Sequence, residues 1–486
     1  MTAFIMVAVY LGLTCIISLI NKNRQSSTRN TFVAKNGMSA CTLIPLLFGE
    51  LIAGAGTVGN ASEAFTHGIN AVWGNWGQAI GCIVFVVFAS RFFYEAGRKG
   101  AMSVAEAFEM RFNNKVRWAV TMVVLLAFLV IYSMQSVAVV SIVGPIIRSV
   151  ADINDITILI GCAVLFAVIS LNGIKSVAGA NVLHMAVIVV FLSVIAWANV
   201  RDAGGVENIY QQLIDTHFNL MYPDVPTVIA QVIGAAFAMI SAMTVVNSCY
   251  CCRSLHEARK GIIVVAVLVT IFALLPAAIG LSGRILLPES NGKGILYEMA
   301  NRLSPGWGGL ASIAILGAVL STGPAILLML ATTVVRDIYL NIKPKASEKK
   351  QMICFRASVV AIAVLSVFIA SNMKSILNDL LASFQIRAIS GIVLVISLHW
   401  DKVTNDAAFW SIVAGGVIAA IWHFAGSPFG IAPLWVSLGV GLTLLVVISL
   451  SSNKGKEEYQ EYLRRFKRIV LAVLHRAACL RRPLYC

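Results

Sequence analysis

Residues 46–63 read LLFGELIAGAGTVGNASE, an apolar run that could form a membrane helix but is interrupted by four glycines and by Glu50. In hydrocarbon every backbone N–H and C=O needs a partner, so unwound backbone is tolerated only where it is buried in protein or lines a water-filled cavity. Helices interrupted near the membrane midplane are typical of binding sites in secondary transporters. The alternative is close packing of two helices through small residues. The run therefore predicts either a broken helix with free carbonyl oxygens or a tight helix–helix contact.

The composition is that of a membrane protein. Hydrophobic residues make up 59% of the chain and charged residues 12%, against about 25% charged in soluble domains. Apolar runs long enough to span a bilayer lie near residues 3–20, 43–66, 71–91, 118–146, 154–171, 178–199, 227–250, 261–283, 308–334, 357–372, 378–399, 406–424 and 432–450. We expect an all-α polytopic membrane protein with about 13 transmembrane helices. The first run is followed by no small-residue cleavage site, so we interpret it as a retained helix rather than a signal peptide.

The net charge of +15 follows the predicted topology. Of the 37 Lys and Arg residues, 30 fall in alternate loops and in the tail after Ser452. Because basic loops stay in the cytoplasm, we expect the N-terminus outside and the C-terminus inside, and no nucleic-acid partner. The tail from Glu457 to Arg482 predicts an amphipathic basic helix on the anionic inner leaflet, or one that docks on a partner.

The run LGAVLSTGP at residues 316–324 contains a second candidate site. Ala318, Ser321 and Thr322 follow the i, i+3, i+4 spacing, so one helix face presents a carbonyl and two hydroxyls. Sodium prefers such hard oxygen donors, although Ser and Thr in membrane helices usually bond to their own i−4 carbonyl. Pro324 lacks an N–H and leaves the carbonyl of Leu320 free, which loosens the helix locally.

Several motifs in this order resemble the sodium:solute symporter family. They are the broken second span, the Ala-x-x-Ser-Thr run followed by VVRDIY at residues 334–339, RSLHEARK at 253–260, and Gly391 to Trp400 followed by Lys402 and Thr404. The resemblance extends over about the whole transmembrane region. It implies the LeuT-type fold, whose core consists of 5+5 helices in two inverted repeats with broken helices.

The resemblance also implies a division of the chain. We expect an extra N-terminal helix and a cytoplasmic loop at 1–42, a first inverted repeat at 43–200, an extracellular loop at 201–226 and a second inverted repeat at 227–400. Two peripheral helices follow at 401–452, and a basic cytoplasmic tail at 453–486.

The resemblance implies one sodium ion between the broken helix and the Ser-Thr helix. It assigns as ligands the carbonyls of Ala53, Gly56 and Ala318 and the hydroxyls of Ser321 and Thr322. Family members with a second sodium have hydroxyl residues after the Ser-Thr pair and an Asp on the sixth span. This chain has Pro324, Ala325 and Asn181 there, which argues against a second sodium. His184, one turn beyond Asn181, is interpreted as a buried imidazole with hydrogen-bond partners rather than as a proton relay.

Arg387 lies near the middle of the eleventh predicted span. A charge at that depth costs about 2.5–3.5 kcal/mol on insertion scales and usually marks a partner or a pathway. One interpretation is a buried ion pair with Glu50 that joins the two repeats. The other is bidentate recognition of a solute carboxylate by the guanidinium.

Further candidate solute contacts come from the family geometry and not from their chemistry. With Arg387 they are Thr57, Asn60, Tyr132, Gln135, Phe237, Ser241, Asn247 and Gln385.

The sequence thus predicts a multi-pass protein of the plasma (inner) membrane that imports a small organic solute by alternating access. We expect sodium as the coupling ion, with one ion per cycle, and a solute that can bear a carboxylate. The alternative is a solute-binding membrane sensor on the same fold. The predicted spans contain no paired carboxylates, zinc-type His motif or nucleophile triad, so we do not expect an enzyme.

Overall fold

The computed structural model describes residues 2–20, 39–148, 150–171, 174–373 and 376–464, and the regular structure in these ranges is helical. Eleven helical segments there are long and apolar enough to cross a membrane: Ala40–His67, Ile69–Phe88, Asn114–Arg148, Asn181–Asp202, Val225–Cys251, Leu255–Leu286, Gly306–Ile342, Glu348–Ala370, Ile376–His399, Asn405–Phe424 and Pro433–Ser451. Shorter apolar helices, Phe4–Ile16 and Asp155–Leu171, lie at the other two predicted positions. The all-α architecture is confirmed, and the number of crossings stays a prediction.

The helices of the first half are α1 Thr2–Ile20, α2 Ala40–Gly54, α3 Asn60–His67, α4 Trp73–Phe88, α5 Ser90–Arg98, α6 Val104–Arg111, α7 Asn114–Arg148, α8 Asp155–Leu171, α9 Ile174–Asp202 and α10 Gly205–His217. Those of the second half are α11 Val225–Ala238, α12 Met243–Cys251, α13 Leu255–Phe272, α14 Leu274–Leu286, α15 Ile295–Leu303, α16 Pro305–Thr333, α17 Leu340–Ile342, α18 Glu348–Ala370, α19 Ile376–His399, α20 Asn405–Phe424, α21 Pro433–Ser451 and α22 455–464. The predicted first loop at 21–38 and tail residues 465–486 lie outside the described residues.

The second predicted span is broken where the glycines occur. Ala53, near the end of α2, has φ 38° and ψ −176°, a conformation that an L-residue with a Cβ rarely adopts. A π-helical turn, Ala55–Gly59, follows and leads into α3. The break thus combines one left-handed residue with one widened turn.

The seventh predicted span is also broken. Between α11 and α12 the chain forms a short 3-10 turn, Met239–Ser241, and then extends at Ala242, with φ −79° and ψ 116°. Discontinuous helices in both halves of the chain are a feature of transporter cores. The described chain therefore has a discontinuous helix in each half.

Helix packing brings the two breaks together. Helix α16 contacts α2, α7 and α9, and the most apolar part of its span, Gly306–Ile342, is entirely buried. Helix α11 packs on α4 and α19, and α19 also contacts the π-helical turn after α2. The breaks consequently face the same interior.

A buried ionic cluster ties α6 and α7 to the end of α16. The Nε and Nη2 atoms of Arg117 donate to Asp337 Oδ1 at 3.1 and 3.0 Å, and Ser103 Oγ donates to the same oxygen at 2.7 Å. Arg336 donates to Glu106 Oε1 at 2.7 Å. The Asp337 side chain is fully buried, so the cluster depends on these charge-assisted hydrogen bonds.

The last described helix, α22, docks on the end of α6. The guanidinium of Arg111 lies 5.1 Å from the ring centroids of both Tyr459 and Tyr462 and donates to the carbonyl of Ser397 at 2.8 Å. Burial lowers the pKa of Arg111 to about 10 and raises the pKa of Tyr462 to about 12. At neutral pH the contact is therefore a cation against neutral rings.

Candidate functional site

The hydroxyl pair of α16 meets the broken helix. Ser321 Oγ and Thr322 Oγ1 donate to the carbonyl of Gly49 at 3.0 and 2.8 Å, and to that of Ala318 at 2.7 and 3.0 Å. Both side chains are fully buried. Four oxygen atoms from two helices therefore converge at one point, which we call the oxygen cluster.

The approach of the two helices at this point requires a glycine. A Cβ added to Gly49 would lie 2.9 Å from both Cβ and Oγ of Ser321. The side chain of Asn181 on α9 reaches the same place, since its Nδ2 donates to the carbonyl of Ser321 at 3.3 Å. Its Oδ1 is buried and has no hydrogen-bond partner among the described residues.

Two carbonyls predicted for the sodium site are engaged elsewhere. The carbonyl of Ala53 accepts from Thr57 Oγ1 at 2.9 Å, and that of Gly56 accepts from Asn75 Nδ2 at 3.1 Å. The structure instead brings Gly49, one helical turn before Ala53, to the hydroxyls. The left-handed backbone at Ala53 ends the helical register there, so positions beyond it no longer share the face of Gly49.

A cavity of about 410 Å³, a volume that includes its opening to solvent, lies between the two breaks. Ala53, Ala55 and Gly56 line it from the first break, and Met239 and Ala242 from the second. We call it the central cavity. Its polar wall consists of Glu50, Gln78, Gln135, Thr244 and Arg387, and its aromatic wall of Phe128 and Phe384.

The guanidinium of Arg387 contacts two aromatic rings in the central cavity. The guanidinium carbon lies 4.4 Å from the ring centroid of Phe128 and 5.2 Å from that of Phe384. The residue is 2% exposed, and its Nε and Nη1 atoms have no hydrogen-bond partner among the described residues. Aromatic rings stabilise the cation without occupying its in-plane donors. The Nε and Nη1 groups of Arg387 therefore keep unused donors that face the central cavity.

Glu50 faces the same cavity and is 8% exposed. Its Oε1 accepts a hydrogen bond from Thr244 Oγ1, while Oε2 has no partner in the described part of the chain. The charged atoms of Glu50 and Arg387 are not within 4.0 Å of one another and do not form a described ion pair. The predicted direct pair is absent from this structure, where the hydroxyl of Thr244 contacts the carboxylate.

The other predicted solute contacts fall into two groups. Gln135 lines the central cavity with Arg387, although its Oε1 accepts from the backbone N–H of Gly54 at 3.1 Å. The remaining seven do not line it: Thr57, Asn60, Tyr132, Phe237, Ser241, Asn247 and Gln385. Their polar side chains include a Ser241 hydroxyl bonded to Ala238 and a Gln385 amide bonded to Leu434.

A second cavity of about 430 Å³, again with its opening to solvent included, adjoins the first. Leu43, Asn247 and Cys251 line it, and it shares Glu50 and Thr244 with the central cavity. The hydrogen-bonded pair of Glu50 and Thr244 therefore lies at the boundary between the two cavities. Sequence reasoning found Glu50 but missed Thr244, Phe128 and Gly49, since nothing local distinguishes them from packing residues.

His184 is buried, as predicted, and one of its two ring nitrogens has a hydrogen-bond partner. Its Nδ1 lies 2.6 Å from the hydroxyl of Tyr10 on α1, and its Nε2 is buried with no partner among the described residues. The ring thus connects the N-terminal helix to α9.

Known structures share this arrangement of helices. The substrate-bound, outward-open structure of a Na+-coupled sialic acid symporter matches with a TM-score of 0.77 and 16% identity, over 93% of this chain and 98% of the other. MhsT in complex with L-phenylalanine matches with a TM-score of 0.56 and 16% identity, over 85% and 99%. The chain therefore shares the LeuT-type fold of these transporters.

The family model for the sodium:solute symporter family matches residues 31–415, and the chain belongs to that family. The sodium/pantothenate symporter of Escherichia coli (strain K12) is 20% identical over 442 residues, which cover 86% of this chain and 89% of the relative. The sodium/proline symporter of Haemophilus influenzae is 30% identical over 172 residues, about a third of each chain. The chain is accordingly a multi-pass plasma-membrane protein and a sodium-coupled symporter, not an enzyme.

Proposed function

We propose that this symporter imports a small organic solute with one sodium ion per cycle, by alternating access around the central cavity. The observation that carries the proposal is the oxygen cluster, where Ser321 and Thr322 meet the carbonyl of Gly49. Glu50, the next residue along the chain, lines the central cavity. The proposed ion site and the proposed solute site thus share one short segment of backbone.

The proposed sodium ligands are the carbonyls of Gly49 and Ala318 and the hydroxyls of Ser321 and Thr322. Such neutral oxygens suit a hard monovalent cation, and their burial excludes competing water. At Asn181 the side chain is an amide rather than a carboxylate, which supports a single ion. Gly49 takes the place of Ala53 and Gly56 in the proposed set because its carbonyl meets the hydroxyls of Ser321 and Thr322, whereas theirs meet Thr57 and Asn75.

The proposed solute site is the central cavity, with Arg387, Glu50 and Gln135 as its polar contacts. The relatives named above transport pantothenate or proline with sodium, and both solutes contain a carboxylate that Arg387 could bind. The proposal includes the two inverted repeats at 43–200 and 227–400, the outside N-terminus and the cytoplasmic C-terminus.

The test is sodium-dependent stabilisation and uptake in a double variant, Ser321→Ala with Thr322→Ala. Contact between a hydrogen-bonding group and a charge contributes about 1.5–3 kcal/mol, so each lost hydroxyl should raise the sodium Kd at least about tenfold. The purified protein is titrated with sodium at constant ionic strength by thermal shift, and sodium-driven solute uptake is measured in proteoliposomes. Net flux distinguishes a symporter from a sensor that only binds.

The matched control is Ser312→Ala with Thr332→Ala on the same helix. Both hydroxyls are buried and bond only one turn back, to Gly308 and Leu328. This control should keep the wild-type sodium response. Unchanged sodium dependence in the Ser321/Thr322 double variant would exclude the proposed site.

A further inference from the structure

The N-terminal helix α1 contacts two of the helices that border the oxygen cluster, α9 and α16. The hydroxyl of Tyr10 lies 2.6 Å from Nδ1 of His184 on α9. The same hydroxyl faces α16, since a Cβ added to Gly317 would lie 2.8 Å from it. Both Tyr10 and His184 are buried. One buried polar group of α1 therefore lies where α9 and α16 meet.

Helices α9 and α16 meet at two successive levels. At the first level, Asn181 Nδ2 donates to the carbonyl of Ser321, a residue of the oxygen cluster, at 3.3 Å. At the second level, one turn away on both helices, the carbonyl of His184 lies 3.5 Å from the position of a Cβ on Gly317. Residues three or four apart share one face of a helix. The two levels therefore belong to one continuous interface, and Tyr10 contacts it at the second level.

We propose that Tyr10 and His184 are positioning residues for sodium, because their hydrogen bond holds α9 and α16 at the spacing that the oxygen cluster needs. This inference rests on the proposed function and extends it to α1, a helix outside the two proposed inverted repeats. Ala318 follows Gly317 directly, and Ser321 follows it by one turn. A shift of α16 at Gly317 therefore moves two of the four proposed sodium ligands.

Preorganisation is the physical reason for such a tie between helices. When oxygens on separate helices bind one ion, the free energy needed to order those helices weakens the binding. A contact that orders the helices beforehand lowers this cost. A rigid set of oxygens also discriminates between cations by size. The contact of Tyr10 with His184 should therefore affect both the affinity for sodium and the preference for sodium over the smaller lithium ion.

The experiment is a thermal-shift titration of the purified full chain with sodium and with lithium, at constant ionic strength. Tyr10→Phe removes only the hydroxyl. One net hydrogen bond corresponds to a factor of about 2 to 12 in an equilibrium constant, so we expect the sodium Kd to rise within that range. The ratio of the lithium Kd to the sodium Kd should fall. Lower stability alone would reduce the melting temperature of the ligand-free protein without changing this ratio, so an unchanged ratio overturns the inference.

A second pair of variants tests the contact from the side of α16. A Cβ on Gly317 would conflict only with the hydroxyl of Tyr10, because its next neighbours lie at 3.5 Å, an ordinary contact distance. Gly317→Ala should displace Tyr10 and raise the sodium Kd by about fivefold or more. Adding Tyr10→Phe removes the conflicting atom, so the double variant should bind sodium like Tyr10→Phe alone. Additive losses in the double variant would refute the proposed tie.

Two substitutions of His184 test its side of the contact. Asparagine can present an acceptor oxygen to the hydroxyl of Tyr10, whereas leucine cannot. We expect His184→Asn to keep a lithium-to-sodium ratio close to that of the wild type, and His184→Leu to behave like Tyr10→Phe. Equal ratios in the two variants would refute the role of His184. The matched control is Thr14→Val, since this buried hydroxyl donates to the carbonyl of Tyr10 within α1, and it should keep the wild-type ratio.

The inference and the proposed function fail differently in these measurements. A wild-type protein that sodium does not stabilise, or a Ser321→Ala and Thr322→Ala double variant that keeps the full sodium response, would refute the proposed sodium site. Loss of the response in that double variant, together with a wild-type sodium Kd and lithium-to-sodium ratio in Tyr10→Phe, would refute the positioning role alone.

Discussion

Gly49→Ala tests the oxygen cluster without removing any of its oxygens. The new Cβ would lie 2.9 Å from Cβ and Oγ of Ser321, whereas ordinary contacts begin at about 3.4 Å, so α2 and α16 must separate by roughly 0.5 Å. Overpacking of this kind costs about 1–3 kcal/mol. Without sodium the two helices can move apart, but with sodium the carbonyl of Gly49 and the hydroxyl of Ser321 must converge on the ion.

The strain introduced by Gly49→Ala should therefore weaken sodium binding. A cost of about 1–3 kcal/mol corresponds to a rise in the sodium Kd of about 5-fold to 150-fold. The assay is a sodium titration of the purified protein by thermal shift, repeated with radioactive sodium in a scintillation proximity format. Gly439→Ala is the matched control, since no atom lies within 4 Å of its added Cβ. Wild-type sodium affinity in Gly49→Ala would refute the proposed convergence at Gly49.

Three further predictions concern stoichiometry and two structural clusters. With one sodium and a solute of no net charge, uptake should be electrogenic with a Hill coefficient near one (an estimate for a single linked site). A potential of about 100 mV with a tenfold sodium gradient should then allow accumulation of a few hundredfold. Asp337→Asn keeps an acceptor oxygen but removes the buried negative charge beside Arg117, and should destabilise the protein by about 3–5 kcal/mol, measured by chemical denaturation. Tyr462→Ala removes a ring from Arg111 and should cost about 0.5–2 kcal/mol of docking, detected as faster proteolysis of α22.

Each of these has a control and a contrary outcome. A Hill coefficient near two in proteoliposomes would show that a second ion binds. Asp202→Asn, at an acid that pairs with Arg302 at 2.6 Å with both side chains partly exposed, should cost much less than Asp337→Asn. Equal losses of stability in the two variants would show that burial does not strengthen the Asp337 cluster. Tyr462→Phe keeps a ring beside Arg111 and should digest like the wild type.

The sequence predicted features that depend on local chemistry. Glycines and a glutamate in an apolar run indicated the broken helix, and the structure has a left-handed residue and a π-helical turn there. Arg387 stood out because a charge inside a span is rare, and it lies in the central cavity. These features could be found because their cost in a membrane is independent of the rest of the fold.

The sequence could not predict which residues of two packed helices face each other, or which residues far apart in the chain form contacts. Every residue of a glycine-rich break offers a carbonyl, so nothing local favoured Gly49 over Ala53 as the partner of Ser321. The π-helical turn also changes the spacing from which a face could be counted. Asp337 belonged to a quoted motif, but its partner Arg117 is 220 positions away and depends on how α7 packs against the end of α16.

The strained backbone of Ala53 affects the equilibrium between conformations of the protein. A residue with a Cβ held in a sparsely populated backbone region stores about 1–3 kcal/mol, and this one lies where the broken helix turns into the central cavity. An arrangement in which Ala53 relaxes would be favoured by that amount, a factor of about 5 to 150 in the equilibrium between the two. The protein would then need correspondingly less differential binding energy from its ligands to change state. The strain at Ala53 would thus bias the conformational equilibrium by an amount that depends on the fold and not on the solute.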